Sequence, residues 1–232
     1  MTDSILDDVK KGFFGRLREA AGHDWTNYVS HPFVQGLARG DLPGAAFRHY
    51  LEQDYLFLIQ FARAYALAAY KSEALDDMRQ AGSSMMSIID HEMQLHVDYC
   101  KDWGLTEAGM AALPEAMETV AYTRYVIDVG MRGDRLDLEV ALAPCIVGYA
   151  EIAARLMAKP STRLDGNPYR AWLDNYACAS YEALARTTID KINIMAARRG
   201  GEARFESLAH TFAAATRLEG AFWQMGLDAT RR

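Results

Sequence analysis

The chain has 232 residues, is 50% hydrophobic and carries a formal charge of -6, so a single domain over 1–232 with an ample packed core is the expectation. The acidic balance lacks the basic stripe that displaces phosphate counterions, which excludes nucleic acid as a partner. Three cysteines, Cys100, Cys145 and Cys178, are an odd number at no metal-type spacing, which excludes a disulfide framework and a zinc site and points to the reducing cytoplasm.

The first eight residues are acidic where an export signal is basic and then apolar, so no export is implied. Beyond them apolar residues recur at three- and four-residue spacing almost everywhere, and β-branched runs between turn residues are missing. That pattern predicts an all-α protein. Punctuation falls at Gly22-His23-Asp24, Gly40-Asp41-Leu42-Pro43, Lys71-Ser72-Glu73, Trp103-Gly104, Leu113-Pro114, Arg132-Gly133-Asp134, Asp165-Gly166-Asn167-Pro168 and Arg199-Gly200-Gly201, which divides the chain into seven or eight helices with short connections.

Between Pro43 and Tyr70 the residues Phe47, Tyr50, Asp54, Phe57, Phe61 and Tyr65 fall at helical spacing, so Asp54 lies within an aromatic stripe. A carboxylate there needs a partner. Asp54 either pairs with a neighbouring helix or anchors a flat, nitrogen-rich ligand by accepting its hydrogen bonds. Further on, the run His91-Glu92-Met93-Gln94-Leu95-His96 looks like a zinc-protease motif, but its histidines are five apart and leave a helix in different directions. The Glu-x-x-His pairs of di-iron bundles are missing too. No metal or other cofactor is expected. Tyr122 and Tyr125 add phenols at helical spacing.

One helix should start near Asp134, whose side chain can cap it, and end before Lys159-Pro160. Inside it Pro144 lacks an amide hydrogen, a defect of roughly 3 kcal/mol that needs an offset. The apolar run from Val140 to Ala150 is closed by Glu139 and Glu151 and is too short to cross a bilayer, so no membrane is expected. Cys145 follows the proline, and Tyr149 shares its face one turn on. The thiol is either inert apolar filling or a sheltered nucleophile. Trp172 and Tyr176 form another helically spaced pair. In the last helix Phe212, Ala215, Glu219, Phe222, Trp223 and Gly226 make one stripe around a single carboxylate. Glu219 is either salt-bridged to an arginine such as Arg217 of a neighbour or, desolvated, a general acid/base.

The ordered set His31-Pro32-Phe33-Val34-Gln35, Phe47-Arg48-x-Tyr50-Leu51-x-Gln53-Asp54-Tyr55-Leu56, Phe61-Ala62-Arg63-Ala64, Tyr122-Thr123-x-Tyr125, Leu142-x-Pro144-Cys145 with Tyr149, Trp172-Leu173-x-x-Tyr176 and Glu219-x-x-Phe222-Trp223 resembles the TenA/thiaminase II family over nearly the whole chain. The resemblance implies a haem-oxygenase-like helical bundle and a homotetramer. It also implies an aminopyrimidine aminohydrolase that turns 4-amino-5-aminomethyl-2-methylpyrimidine into the 5-hydroxymethyl compound in thiamine salvage, with thiamine itself as a further substrate. By position Cys145 resembles the family's nucleophile and Glu219 its proton donor. Asp54, Tyr149 and Tyr176 resemble residues contacting the pyrimidine, with Tyr122 and Phe222 as pocket walls. Phe57 stands where the family often has a tyrosine, so one hydroxyl contact is missing. The thiol puts the chain in the cysteine-bearing branch. Two alternatives stand beside this reading: a cofactor-dependent oxygenase on the same fold, and a non-enzymatic regulatory protein.

Overall fold

A computed structural model describes residues 4–101 and 103–231. Met1–Asp3 of the acidic start lie outside the described residues. Among the described residues there is no strand, and the α-helices are α1 Ile5–Asp8, α2 Gly12–Val29, α3 Pro32–Arg39, α4 Gly44–Tyr70, α5 Leu75–Ser87, α6 Met93–Lys101, α7 Glu107–Ala111, α8 Met117–Arg132, α9 Arg135–Ala158, α10 Arg170–Tyr176, α11 Ala179–Arg198 and α12 Phe205–Asp228. A π-helical turn, Ile88–Glu92, joins α5 to α6. Twelve α-helical segments exceed the expected seven or eight because four of them, α1, α3, α7 and α10, have eight residues or fewer. Segments that short hold too few turns to display a period.

Local chemistry explains several boundaries. At the start of α9, Asp134 Oδ1 accepts from the amides of Leu136 (2.8 Å) and Asp137 (3.2 Å), and Asp137 Oδ2 accepts from the Asp134 amide (2.7 Å). This reciprocal cap satisfies amides that a helix start otherwise leaves orphaned. α9 ends at Ala158, before Lys159-Pro160. α3 stops at Gly40, which takes the left-handed conformation (φ 73°) that a side chain resists. Gly22, by contrast, is a kink inside α2 (φ 49°, ψ -111°) where the sequence suggested a break.

The chain divides into two compact units, 4–43 with Glu139–Gln224 and Gly44–Leu138 with 225–231. In the first, Phe14, Trp25 and Phe212 form an aromatic core, with Trp25 stacked on Phe212 at 5.3 Å and Phe14 edge-on to Phe212 at 5.5 Å. Glu151 of α9 accepts a bidentate pair from Arg18 (2.9 and 2.7 Å), a bond from Trp25 Nε1 (3.0 Å) and one from Arg155 (2.8 Å). Burial opposes ionisation of this carboxyl, but Arg18, Arg155 and Trp25 prevail and hold its pKa below the ordinary value. α9 is long and apolar enough to span a membrane although its uncharged stretch is short, and 78% of that window is buried within the protein.

In the second unit Gln53 is buried and ties α4 to the start of α8. Its Oε1 accepts from the Ala116 amide and the Thr119 hydroxyl, both at 2.8 Å, and its Nε2 donates to the Pro114 carbonyl at 3.1 Å. Arg135, fully buried, donates to the Ala68 carbonyl (2.7 Å) and to the Ser72 hydroxyl, closing the end of α4.

Candidate active site

Cys145 is half-buried in the middle of α9. The helix runs unbroken through Pro144, and the Pro144 carbonyl accepts a hydrogen bond from the Tyr28 hydroxyl of α2 at 3.1 Å. That approach needs Gly148. A Cβ there would lie 2.6 Å from the Tyr28 hydroxyl oxygen and 2.7 Å from its Cζ, closer than van der Waals contact permits. The glycine and the proline of this helix thus serve one contact, placed beside the thiol.

One turn beyond Cys145, Tyr149 meets Tyr176 at 4.8 Å, Trp223 at 5.3 Å and Trp172 at 5.8 Å, and Trp172 meets Tyr176 at 4.7 Å. Helices α9, α10 and α12 each supply rings to this cluster. α10 has seven residues and depends on the loop before it. Asn167 Nδ2 donates to the carbonyls of Leu37 and Arg163, and its Oδ1 accepts from the Tyr169 amide, all at 2.8 Å. The Tyr169 hydroxyl donates to the Leu42 carbonyl. This tethered loop sets where Trp172 and Tyr176 begin.

On α12, Glu219 and Phe222 are both buried, at 2% exposure. Arg217, considered from the sequence as a partner for such a carboxylate, instead pairs with Asp24 at 2.8 Å. Cys145, Tyr149, Tyr176, Glu219 and Phe222 all fall in the first unit.

Asp54, Phe57 and Tyr122 fall in the second unit. Phe57 packs on Tyr122 at 4.9 Å and on Phe61 at 5.3 Å, so α4 and α8 meet there through aromatic rings. Asp54 does pair with a neighbouring helix: its Oδ2 lies 2.7 Å from His96 Nε2 and accepts from the Tyr50 hydroxyl at 3.1 Å. His96 is buried, and its Nδ1 lies 2.8 Å from the Glu92 carbonyl oxygen. Burial works against a charged ring, but Asp54, the Glu92 carbonyl and the Glu92 charge outweigh it and raise the His96 pKa. Half-buried Glu92 is pushed up to about 7, chiefly by burial, with His96 opposing and Asp54 adding to the rise.

Sequence reasoning missed the pairing of His96 with Asp54 and the place of Glu92 behind it. It weighed them only as parts of a metal motif, whereas the signal was a histidine whose helix could reach an acid in an aromatic stripe. The His91 side chain lies outside the described residues. Among the described residues no group of three or more His, Cys, Asp or Glu side chains is arranged to hold a metal ion.

The first unit thus holds a half-buried thiol one turn from a cluster of tyrosine and tryptophan rings and a buried glutamate on α12, and the second holds a buried aspartate paired with histidine. An all-α protein with such groups belongs structurally with the haem-oxygenase-like folds: a domain of unknown function with that fold from Shewanella denitrificans superposes with a TM-score of 0.71 at 13% identity, over 93% of this chain and 92% of that one. Residues 19–229 match the TENA/THI-4/PQQC family, and the chain belongs to it. It is similar to an aminopyrimidine aminohydrolase of Halalkalibacterium halodurans, 34% identical over 93% of this chain and 96% of that one. It is also similar to the crystal structure of a TenA family transcription regulator from Silicibacter sp., with a TM-score of 0.89 and 41% identity over 95% of this chain and 99% of that one.

Proposed function

We propose that this protein is an aminopyrimidine aminohydrolase of the thiaminase II type, acting on 4-amino-5-aminomethyl-2-methylpyrimidine to give the 5-hydroxymethyl compound and ammonia. One observation carries the reading: 34% identity, over nearly the full length of both chains, to a protein named for that activity. The half-buried Cys145 one turn from the Tyr149 ring cluster supports it, as does buried Glu219.

The reading gives Cys145 the role of nucleophile, Glu219 that of proton donor, and Asp54, Tyr149 and Tyr176 the pyrimidine contacts, with Phe57, Tyr122 and Phe222 as walls. Ammonia leaves poorly from an unactivated methylene carbon, so the ring must supply electrons. Cys145 Sγ bonds to a ring carbon, and of the two protons supplied by its thiol and by Glu219 one goes to a ring nitrogen and the other to the amine, which departs as ammonia. The exocyclic carbon–nitrogen bond then breaks, water adds to that carbon, and loss of the thiol restores the aromatic ring. Nothing in this sequence of steps calls for a cofactor.

The same reading makes the protein a cytoplasmic homotetramer. Sedimentation equilibrium measures the subunit number. Ammonia release from the aminomethylpyrimidine, assayed beside thiamine cleavage, tests the activity. Wild-type protein should release ammonia, and Cys145→Ser should abolish turnover while calorimetry still detects substrate binding. Undiminished turnover by Cys145→Ser would refute the covalent scheme, and an inactive wild type would refute the activity.

A further inference from the structure

Asp54 is not a symmetric acceptor. Its Oδ2 takes both available donors, His96 Nε2 at 2.7 Å and the Tyr50 hydroxyl at 3.1 Å, and among the described residues Oδ1 receives neither. The other ring nitrogen of His96 faces the Glu92 backbone carbonyl at 2.8 Å, which can only accept. Nδ1 therefore carries a proton. With a carboxylate opposite Nε2 that nitrogen donates as well, and the ring is an imidazolium.

We propose that His96 is the positioning residue of the pyrimidine-binding carboxylate: by holding Oδ2 through Nε2, it orients Asp54 so that Oδ1 is left to accept from the amino group of the ligand. The inference rests on the aminopyrimidine reading for the ligand, but the His96–Asp54 geometry is independent of it. The ring is also held from the π-turn: its last residue, Glu92, four residues back, presents its carbonyl to Nδ1 and so fixes the ring plane. Extra helical turns of this kind recur at functional sites. The titratable groups facing the imidazole are Asp54, with Tyr50 behind it, from α4, and Glu92 from the π-turn.

The test has two arms. Nitrogen-15 NMR of the ring in the full-length wild type at pH 7 should show both His96 nitrogens protonated, and Asp54→Asn should leave one. In kinetics, His96→Leu should raise KM roughly tenfold or more, the loss expected for a charge-assisted hydrogen bond, with kcat changed much less. His96→Gln can still donate from Nε2, so its KM should stay within a few-fold of wild type. It lacks the positive charge, so the acid limb of its kcat/KM profile should move to higher pH. A neutral His96 ring in the wild type would overturn the proposal, as would a folded His96→Leu with unaltered KM and acid limb. Should the wild type release no ammonia, the activity reading falls and the NMR arm alone decides the role of His96.

Discussion

Gly148→Ala is the sharpest probe of the packing around Cys145. Tyr28 is fully buried, edge-on to Trp25 at 5.7 Å, stacked with Trp223 at 6.3 Å and hydrogen-bonded to the Pro144 carbonyl, so it has no easy retreat from a new methyl group 2.6 Å from its hydroxyl oxygen. Overpacking in such a site costs about 1–3 kcal/mol, and losing the Tyr28 hydrogen bond adds about 1 kcal/mol. Alanine returns about 1 kcal/mol through its better helix propensity. The net is a destabilisation of about 2 kcal/mol, or a fall of about 4–8 °C in Tm for a domain of this size. Gly220→Ala on α12 is the internal control. A Cβ there meets nothing within 4 Å, so the same substitution should stabilise by about 0.5–1 kcal/mol. Thermal melts of the two variants beside wild type decide the matter. If Gly148→Ala melts at or above the wild-type temperature, the proposed constraint on Tyr28 is wrong.

Glu151→Gln should destabilise by about 3 kcal/mol at neutral pH, because it leaves Arg18 and Arg155 without their buried counter-charge. The folded-state pKa of Glu151 is depressed, so its contribution is complete above the unfolded value and is lost as pH falls through the folded one. Urea melts should therefore show the gap between wild type and variant closing only in acid, and a gap constant down to pH 2 would contradict the ion cluster. Glu92→Gln has the opposite sign. A carboxyl raised to about 7 keeps its proton in the folded state while in the unfolded chain it ionises from the ordinary 4.5, so the native state loses relative stability as pH rises between those values. The variant should gain on wild type across that interval and run parallel above it. A difference independent of pH would show that Glu92 does not titrate there.

Features governed by near neighbours were legible in the sequence. The Asp134 cap, the stop before Lys159-Pro160 and the glycine terminus at Gly40 each depend on side chains or backbone within a few residues. The break assigned at Gly22 became a kink, since glycine accepts a positive φ without ending the helices on either side. The aromatic stripes were legible as stripes, and Tyr149 with Tyr176, and Phe57 with Tyr122, do meet as pairs. The partner of Asp54 was not, because His96 is 42 residues away and is reached across a π-turn that periodicity at 3.6 residues cannot register. Nor does a stripe disclose that Arg217 would spend its charge on Asp24.

The π-turn at Ile88–Glu92 also bears on how this stretch tolerates change. Holding one surplus residue, it offsets the phase of every side chain that follows, so α5 and α6 obey different angular frames along one continuous coil. Loss of that surplus residue would return the stretch to regular α-helix with the imidazole close to its present direction, whereas a deletion between the turn and His96 would swing the ring roughly 100° around the axis, given about 3.6 residues per turn. The place of a deletion, more than its size, decides whether the imidazole keeps its aim.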